Sequence, residues 1–387
     1  MSLMSVVNDS TFSSTPSGLT PLEITRVETI PVRAPLEREF KGSFYRMVNR
    51  ATLITRVHTS EGIVGEAWVG DEDETLLDID RVVRDEITPR VLGRDAFAVE
   101  QIWDQAWPAT FDILRDRRIG LVATAAIDTA VWDAVGKAVG QPLWRLWGGF
   151  RSRVPMIVIG GYYGQDDGAL ADEIRGYVDE GLAGCKFKIG GASPEEDVRR
   201  VSLAREVAGD GFAIAVDANQ GYTVLEAVEF AARAADLDLA WFEEPCRWAN
   251  DRRGLRDVRM RSTIPVSAGQ TELTPSGCRD LMETGSIDIC NFDASWSGGP
   301  TAWRRVAGIA HAYDVLMGHH EEPQVASHLI ASQSHGTYAE CFAPARDPFW
   351  YKLVANRPLP RDGYIELPTT PGLGWHIDWD YVDQHRL

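Results

Sequence analysis

The stretch "GCKFKIGGA", residues 184–192, sets two lysines two positions apart in an otherwise apolar run. Side chains on a β-strand alternate between faces, so Lys186 and Lys188 share one face while Cys185, Phe187 and Ile189 take the other. Lysine is seldom fully buried, and like charges on one face repel, so packing alone does not explain the pair. The face they share must enclose something that uses two cations.

Outward from this stretch, the chain beyond residue 153 repeats one texture: "VPMIVIGGY", "GCKFKIG", "FAIAVDANQ", "LAWFEEP", "IPVSAGQTE", "IDICNFDAS", "DVLMGHH" and "TYAECFA", each followed by a helical stretch. Each run ends in polar or ionisable residues. With Lys188, Asp217, Glu243, Gln270, Asp293, His320 and Glu340 as markers, successive steps are 29, 26, 27, 23, 27 and 20 residues. That is the size of a strand-plus-helix unit, and eight such strands predict an α/β fold of the TIM-barrel type, whose functional groups sit at the C-terminal strand ends where the markers fall.

Before the barrel, residues 1–21 ("MSLMSVVNDSTFSSTPSGLTP") are rich in Ser and Thr and read as a flexible tail. Alternating apolar stretches from Leu22 to Glu66 predict a small antiparallel sheet, with "EREFKGSFYRMVNR" as a loop at its edge. Residues 75–150 read as helices, with Ala123, Ala126, Ala130 and Ala134 spaced for close helix packing. The expected domains are therefore an α+β domain over 22–150, a barrel over 151–355 and a Pro- and Gly-rich segment over 356–387 that returns to the first domain.

The net charge of −18 in 387 residues argues against a nucleic-acid or anionic-membrane partner. No run reads as a bilayer span, and five scattered cysteines without a C-x-x-C pair suggest reduced thiols in a cytoplasmic protein. We expect a homo-oligomer.

Taken singly, each marker has an ordinary explanation. Asp217 with Asn219 would cap the next helix, Glu243 and Glu244 would be loop charges, and a lone histidine is more often packed than catalytic. All of these would have to hold at once, at corresponding points of successive units. Together the groups make chemical sense. Asp217, Glu243 and a third oxygen near residue 270 suit a hard cation such as Mg²⁺, and neither His-rich nor Cys-rich ligation is suggested. Beside such a cation and a second ammonium, Lys188 should have a depressed pKa and act as a base, with Lys186 offering its charge to a carboxylate.

"KFK" on the second barrel strand, "VDAN" on the third, "WFEEP" on the fourth, and Asp293 and His320 at the ends of the sixth and seventh resemble the enolase superfamily, mandelate racemase subgroup. "AAIDTAVWDAVGKAVGQPLWRLWGG" resembles the signature that ends that family's capping domain. The similarity spans residues 22–385. It implies an α+β capping domain over a modified (β/α)7β barrel, and abstraction of the proton alpha to a carboxylate through a Mg²⁺-bound enediolate. It makes Lys188 the base on one face of the substrate and His320, held by Asp293, the acid or base on the other. Glu340 matches a carboxylic acid that binds the substrate carboxylate. His319 adjoins His320, but only one of them can face inward and the family spacing to "ASHLI" favours His320.

Two departures stand out. The third metal ligand of the family is a glutamate where this chain has Gln270 in "SAGQTE"; Glu272 shares its strand parity and is the alternative. Trp296 stands where a lysine is often found. The implied activity is dehydration of an acid sugar to a 2-keto-3-deoxy acid, with a racemase or epimerase as the runner-up and a non-catalytic binding protein as the alternative of another class. Phe40, Lys41, Phe44, Tyr45 and Arg46 in the lid, Tyr162 and Tyr163 after the first barrel strand, and Asn219 are candidates to touch the substrate; basic lid residues would suit a diacid.

Overall fold

The computed structural model describes residues 20–71, 73–247 and 252–387; all but the last two residues of the expected tail lie outside that range. Strands β1 (Ile24–Lys41), β2 (Arg46–Thr59) and β3 (Val64–Val69) form an antiparallel sheet in that order. The stretch expected as an edge loop is instead the tip of the β1–β2 hairpin. Phe40 pairs with Met47 and Lys41 with Arg46, after a register shift between Pro35 and Phe40 that lets the strands twist past the sheet edge. The hairpin therefore reaches out over the barrel.

Against this sheet lies the helix Arg117–Ala138. It is long and apolar enough to cross a membrane by length and composition, which the sequence reading had not recognised, but 94% of that apolar window is buried inside the protein. Its alanines allow contact at backbone range, and Gly65 of β3 sits directly against the Ala130 carbonyl. Asp128 and Asp133 are the polar points of this helix. Asp128 accepts the backbone N–H and hydroxyl of Thr301 (2.8 and 2.7 Å), at the start of the barrel helix Gly299–Ala312. Asp133 accepts the N–H groups of Glu66 and Leu373, both at 2.7 Å.

The barrel strands are β4 (Arg153–Gly160), β5 (Gly184–Lys188), β6 (Ala213–Asp217), β7 (Leu239–Glu243), β8 (Val266–Ser267), β9 (Ile289–Cys290), β10 (Leu316–Met317) and β11 (Ala339–Phe342). They are parallel in the order β10-β9-β8-β7-β6-β5-β4-β11. The circle closes where Met317 N–H donates to the His335 carbonyl and Thr337 N–H to the Met317 carbonyl, both at 2.9 Å. The chain is thus a (β/α)-type barrel with a separate α+β capping domain.

On β5, Cys185, Phe187 and Ile189 face outward into the main apolar core with the helices, while the interior below the lysines is filled by Ile157, Ala215, Trp241 and Ile289. Both faces of the strands are buried, which is why their sequences run apolar with so few interruptions. The C-terminal segment adds β12 (Tyr364–Glu366) antiparallel to β4, then the helix Trp379–His385, after which Leu387 N–H donates to the Pro31 carbonyl of β1 (3.0 Å). All five cysteines are free and buried.

Candidate active site

Register brings the central residues together. Lys188 pairs with Asp217 across β5–β6, and Asp217 with Glu243 across β6–β7, so the last residues of three neighbouring strands point inward side by side. The helix-cap alternative for Asp217 is excluded by the structure: the next helix, Val224–Arg233, is capped by Thr223 in a reciprocal arrangement with Glu226. Asp217 is free for the barrel mouth.

Lys188 Nζ donates to Asp217 Oδ2 (2.6 Å) and Asn219 Oδ1 (3.0 Å). Two residues deeper, Lys186 Nζ bridges Glu243 Oε1 (2.8 Å) and Glu340 Oε1 (2.7 Å) with no solvent exposure. The expectation of a depressed Lys188 pKa does not hold for the bare chain. Burial pulls it down, but the adjoining Asp217 carboxylate outweighs burial and holds the ammonium well above the ordinary lysine range. Asp217 is lowered in return: burial opposes its charge, and the Lys188 and Lys186 ammoniums overcome that.

Gln270 lies just past β8. Its Oε1 is buried and has no hydrogen-bond partner among the described residues. Glu272 instead meets Arg252 at 2.7 Å. Among the described residues no group of three His, Cys, Asp or Glu side chains converges as a metal site. Asp217, Glu243 and Gln270 Oε1 are all oxygen donors of the kind Mg²⁺ takes, and a buried amide oxygen without a partner is the kind of group a cation or a donor would satisfy.

Across the barrel, His320 Nδ1 is 3.0 Å from Asp293 Oδ2. Asp293 also accepts from Ser295 N–H (2.7 Å), Ser295 hydroxyl (2.6 Å) and Trp296 N–H (3.2 Å), which fixes its orientation. His319 is turned away, with Nε2 accepting from Ala294 N–H (3.0 Å) and Nδ1 facing the His320 carbonyl (2.8 Å). The other imidazole nitrogen of His320 meets Glu321 Oε1 at 3.2 Å. Burial disfavours the imidazolium, yet Glu321 and Asp293 together push its pKa up to about 10. Trp296 lies over the ring (centroids 4.6 Å apart), with the Arg118 guanidinium 3.9 Å from the indole centroid.

Lys188, Asn219, Gln270 and His320 line one cavity of about 360 Å³, roofed by Tyr45 and Met47 of the hairpin. Two expected contacts fall elsewhere. Arg46 points to solvent beside Glu39, because strand alternation sends its neighbours inward and Arg46 out. Tyr163 donates its hydroxyl to Asp197 (2.7 Å) and stacks under Arg200, away from the cavity. Phe40 and Tyr162 pack edge to face on each other, and Phe44 is exposed.

The sequence reading missed Glu321 and a buried charge cluster behind it. Arg50 of β2 meets Asp71 (2.6 Å), Glu322 (2.7 Å), Glu321 (3.3 Å) and Asp347 (3.4 Å), and Arg346 meets Asp71 at 3.1 Å. The available signal was a charged residue at a core-facing strand position, in "VNRATLIT".

Comparison with known proteins agrees with this architecture. The mandelate racemase / muconate lactonizing enzyme N-terminal domain matches residues 24–148, and the enolase C-terminal domain-like model matches residues 169–381. The chain belongs to the mandelate racemase/muconate lactonizing enzyme family of the enolase superfamily. It is 30% identical over 350 residues to the arabinonate dehydratase of Saccharolobus solfataricus, covering 86% of this chain and 90% of the relative. It is 31% identical over 363 residues to the 3,6-anhydro-alpha-L-galactonate cycloisomerase of Streptomyces coelicolor (92% and 98% covered). A family member from a marine actinobacterium, crystallised in complex with magnesium, is 59% identical with a TM-score of 0.90, over 95% of this chain and 99% of that one.

Proposed function

We propose that this protein is a Mg²⁺-dependent acid-sugar dehydratase. The observation that carries the reading is that Lys188 and His320 face one cavity from opposed strands, β5 and β10, with β4 and β11 between them on one side and β6 to β9 on the other. Asp217, Glu243 and Gln270 would hold the metal, which when bound stabilises the negative charge that builds on a substrate carboxylate as the neighbouring carbon loses its proton. With a cation held there, Lys188 would lose the Asp217 charge that favours its ammonium form, release its proton to solvent, and as the neutral amine take the α-proton. The C–H electron pair moves into the carboxylate to give an enediolate. His320, already protonated, gives its proton to the β-hydroxyl; the C–O bond breaks, water leaves, and the enol becomes a 2-keto-3-deoxy acid.

Support for dehydration over racemisation comes from His320. A racemase needs this imidazole to act as a base in one direction, and the two carboxylates on it oppose deprotonation. The names of the relatives, a dehydratase and a cycloisomerase of acid sugars, point to the same substrate class. The test is proton NMR in D₂O on acid sugars with Mg²⁺. Wild type should yield the 2-keto-3-deoxy acid, His320→Asn should exchange the α-proton without eliminating, and Lys188→Ala should do neither while still binding Mg²⁺. Recovery of only a C2-epimerised, C2-deuterated acid from wild type would replace this reading with the racemase.

A further inference from the structure

The end of β5 is held by a buried ion pair that neither the metal nor the substrate explains. The β4–β5 ladder stops at the pair Gly160 and Phe187, one residue short of Lys188, whereas on the β6 side Lys188 still pairs with Asp217. Where that ladder stops, Arg200 of the helix Pro194–Ala208 takes over. Its Nη1 donates to the Lys188 carbonyl (3.1 Å) and its Nη2 to the Gly161 carbonyl (2.7 Å), so one guanidinium joins the two strand ends. The guanidinium is itself held: it lies over the Tyr163 and Phe187 rings, 4.2 and 4.9 Å from their centroids, and meets Asp197 Oδ1 at 3.0 Å.

Asp197 is fully buried and serves the same point. It accepts from Gly190 N–H (2.9 Å), two residues past Lys188, and from the hydroxyls of Tyr163 (2.7 Å) and Tyr222 (2.6 Å), which belong to the loops after β4 and β6. Capping does not account for it, because Ser193 caps that helix through the Glu196 N–H. A buried ion pair adds little stability over apolar side chains of the same size, so stability is a weak reason for this one. What a planar guanidinium fork supplies is fixed geometry. Lys188 needs it: its Nζ is 2.6 Å from Asp217 Oδ2, and a reacting group displaced by about 1 Å can lose roughly a hundredfold in rate.

We propose that Arg200, fixed by Asp197, is a positioning residue for proton abstraction: it continues the β4–β5 sheet one residue beyond its last pair and so sets where the Lys188 amino group stands. This rests on the reading of Lys188 as the base.

The experiment compares Arg200→Met and Arg200→Lys with wild type on the acid sugar that wild type dehydrates, with Mg²⁺, at a temperature where circular dichroism shows each protein folded. Arg200→Met should lower kcat by roughly a hundredfold and Arg200→Lys, which can reach only one of the two carbonyls, by roughly tenfold, with KM and the calorimetric Mg²⁺ dissociation constant within about twofold of wild type. In a His320→Asn background, exchange of the α-proton with D₂O should fall by the same factors, which locates the loss at Lys188. A brace that only stabilises the fold would lower the melting temperature and leave kcat of the folded protein unchanged. That result, or a loss shared equally by kcat and Mg²⁺ affinity, overturns the proposal; Arg200→Lys carries the test if the methionine variant does not fold. Should wild type convert no acid sugar, the dehydratase reading fails by itself and a crystal structure of the variant still decides for Arg200. Lys188 Nζ displaced from Asp217 by about 1 Å or more supports the proposal, and a contact kept at 2.6 Å overturns it.

Discussion

Glu321 and Asp293 grip the same imidazole from its two nitrogens, and the consequence is a pH dependence with a definite sign. The His320 pKa is raised from 6.5 to about 10, so the imidazolium persists across neutral pH in the folded protein and is lost as pH rises through about 10, while its contribution to stability is complete below about 6.5 and declines toward 10. Activity that needs His320 as an acid should fall on the alkaline side. Glu321→Gln removes one of the two charges, and the alkaline limb of kcat/KM should move to lower pH by roughly one unit or more. An unmoved limb would show that Glu321 does not act on His320. In the proposed metal site the amide of Gln270 would supply an oxygen without charge. Gln270→Glu should tighten Mg²⁺ binding and Gln270→Ala weaken it, each by roughly tenfold, whereas Glu272→Ala should leave it close to wild type, as read by isothermal titration calorimetry. A metal-free Glu272→Ala would transfer the ligand role to that residue. The strand-borne groups Lys188, Asp217 and Glu243 were legible in the sequence because a period of two and regular spacing fix their direction. Glu321 was not, since it lies in a loop where φ is +52° and no periodicity says which way a side chain turns.

At the scale of elements, backbone proximity decides what each glycine is for. Gly65 on β3 packs against the helix Arg117–Ala138, and a Cβ there would run into the Ala130 carbonyl oxygen and the Ala134 backbone, neither of which can move without disturbing the helix. Gly65→Ala should cost about 1–3 kcal/mol. Gly176, in the helix Asp167–Asp179, has nothing within 4 Å of a Cβ, so Gly176→Ala should instead stabilise by about 0.5–1 kcal/mol. Urea denaturation of the two variants should give opposite signs; the same sign would mean that the close approach at Gly65 is not felt. The alanines of the long helix could be read in the sequence as a close-packing face, but not their partner, because a contact between residues far apart in the chain leaves no local pattern. The β1–β2 hairpin was misread for a related reason. Its mixed aromatic and basic residues lack clean alternation because they extend past the sheet toward the barrel, so no single apolar face is selected.

For the molecule as a whole, the cavity exists only where the capping domain meets the barrel, with Tyr45 and Met47 above and the strand ends below. The joint beside it is electrostatic. Arg50 on β2 and Asp71 just after β3 belong to the capping side, while Glu321, Glu322, Arg346 and Asp347 come from barrel loops, and the Arg50 guanidinium is 3% exposed. Burial disfavours its charge, but Asp71, Asp347, Glu322 and Glu321 outweigh that and hold it fully protonated. A pair formed from two well-solvated ions gains little by being buried, yet removing one partner leaves the others uncompensated. Arg50→Met keeps most of the side-chain volume and strands those carboxylates. It should therefore destabilise the protein by about 3–5 kcal/mol, and because the lost contacts join two units, the damage should concentrate at the joint. Hydrogen exchange should then rise first in the β1–β2 hairpin and in the loop carrying Glu321 and Glu322, with the barrel strands still protected. Since Glu321 is tied to His320 as well as Arg50, the same variant should lower turnover even at temperatures where it remains folded. A variant with wild-type stability and wild-type turnover would show that apolar contacts hold the two units together and that the buried charges only accompany them.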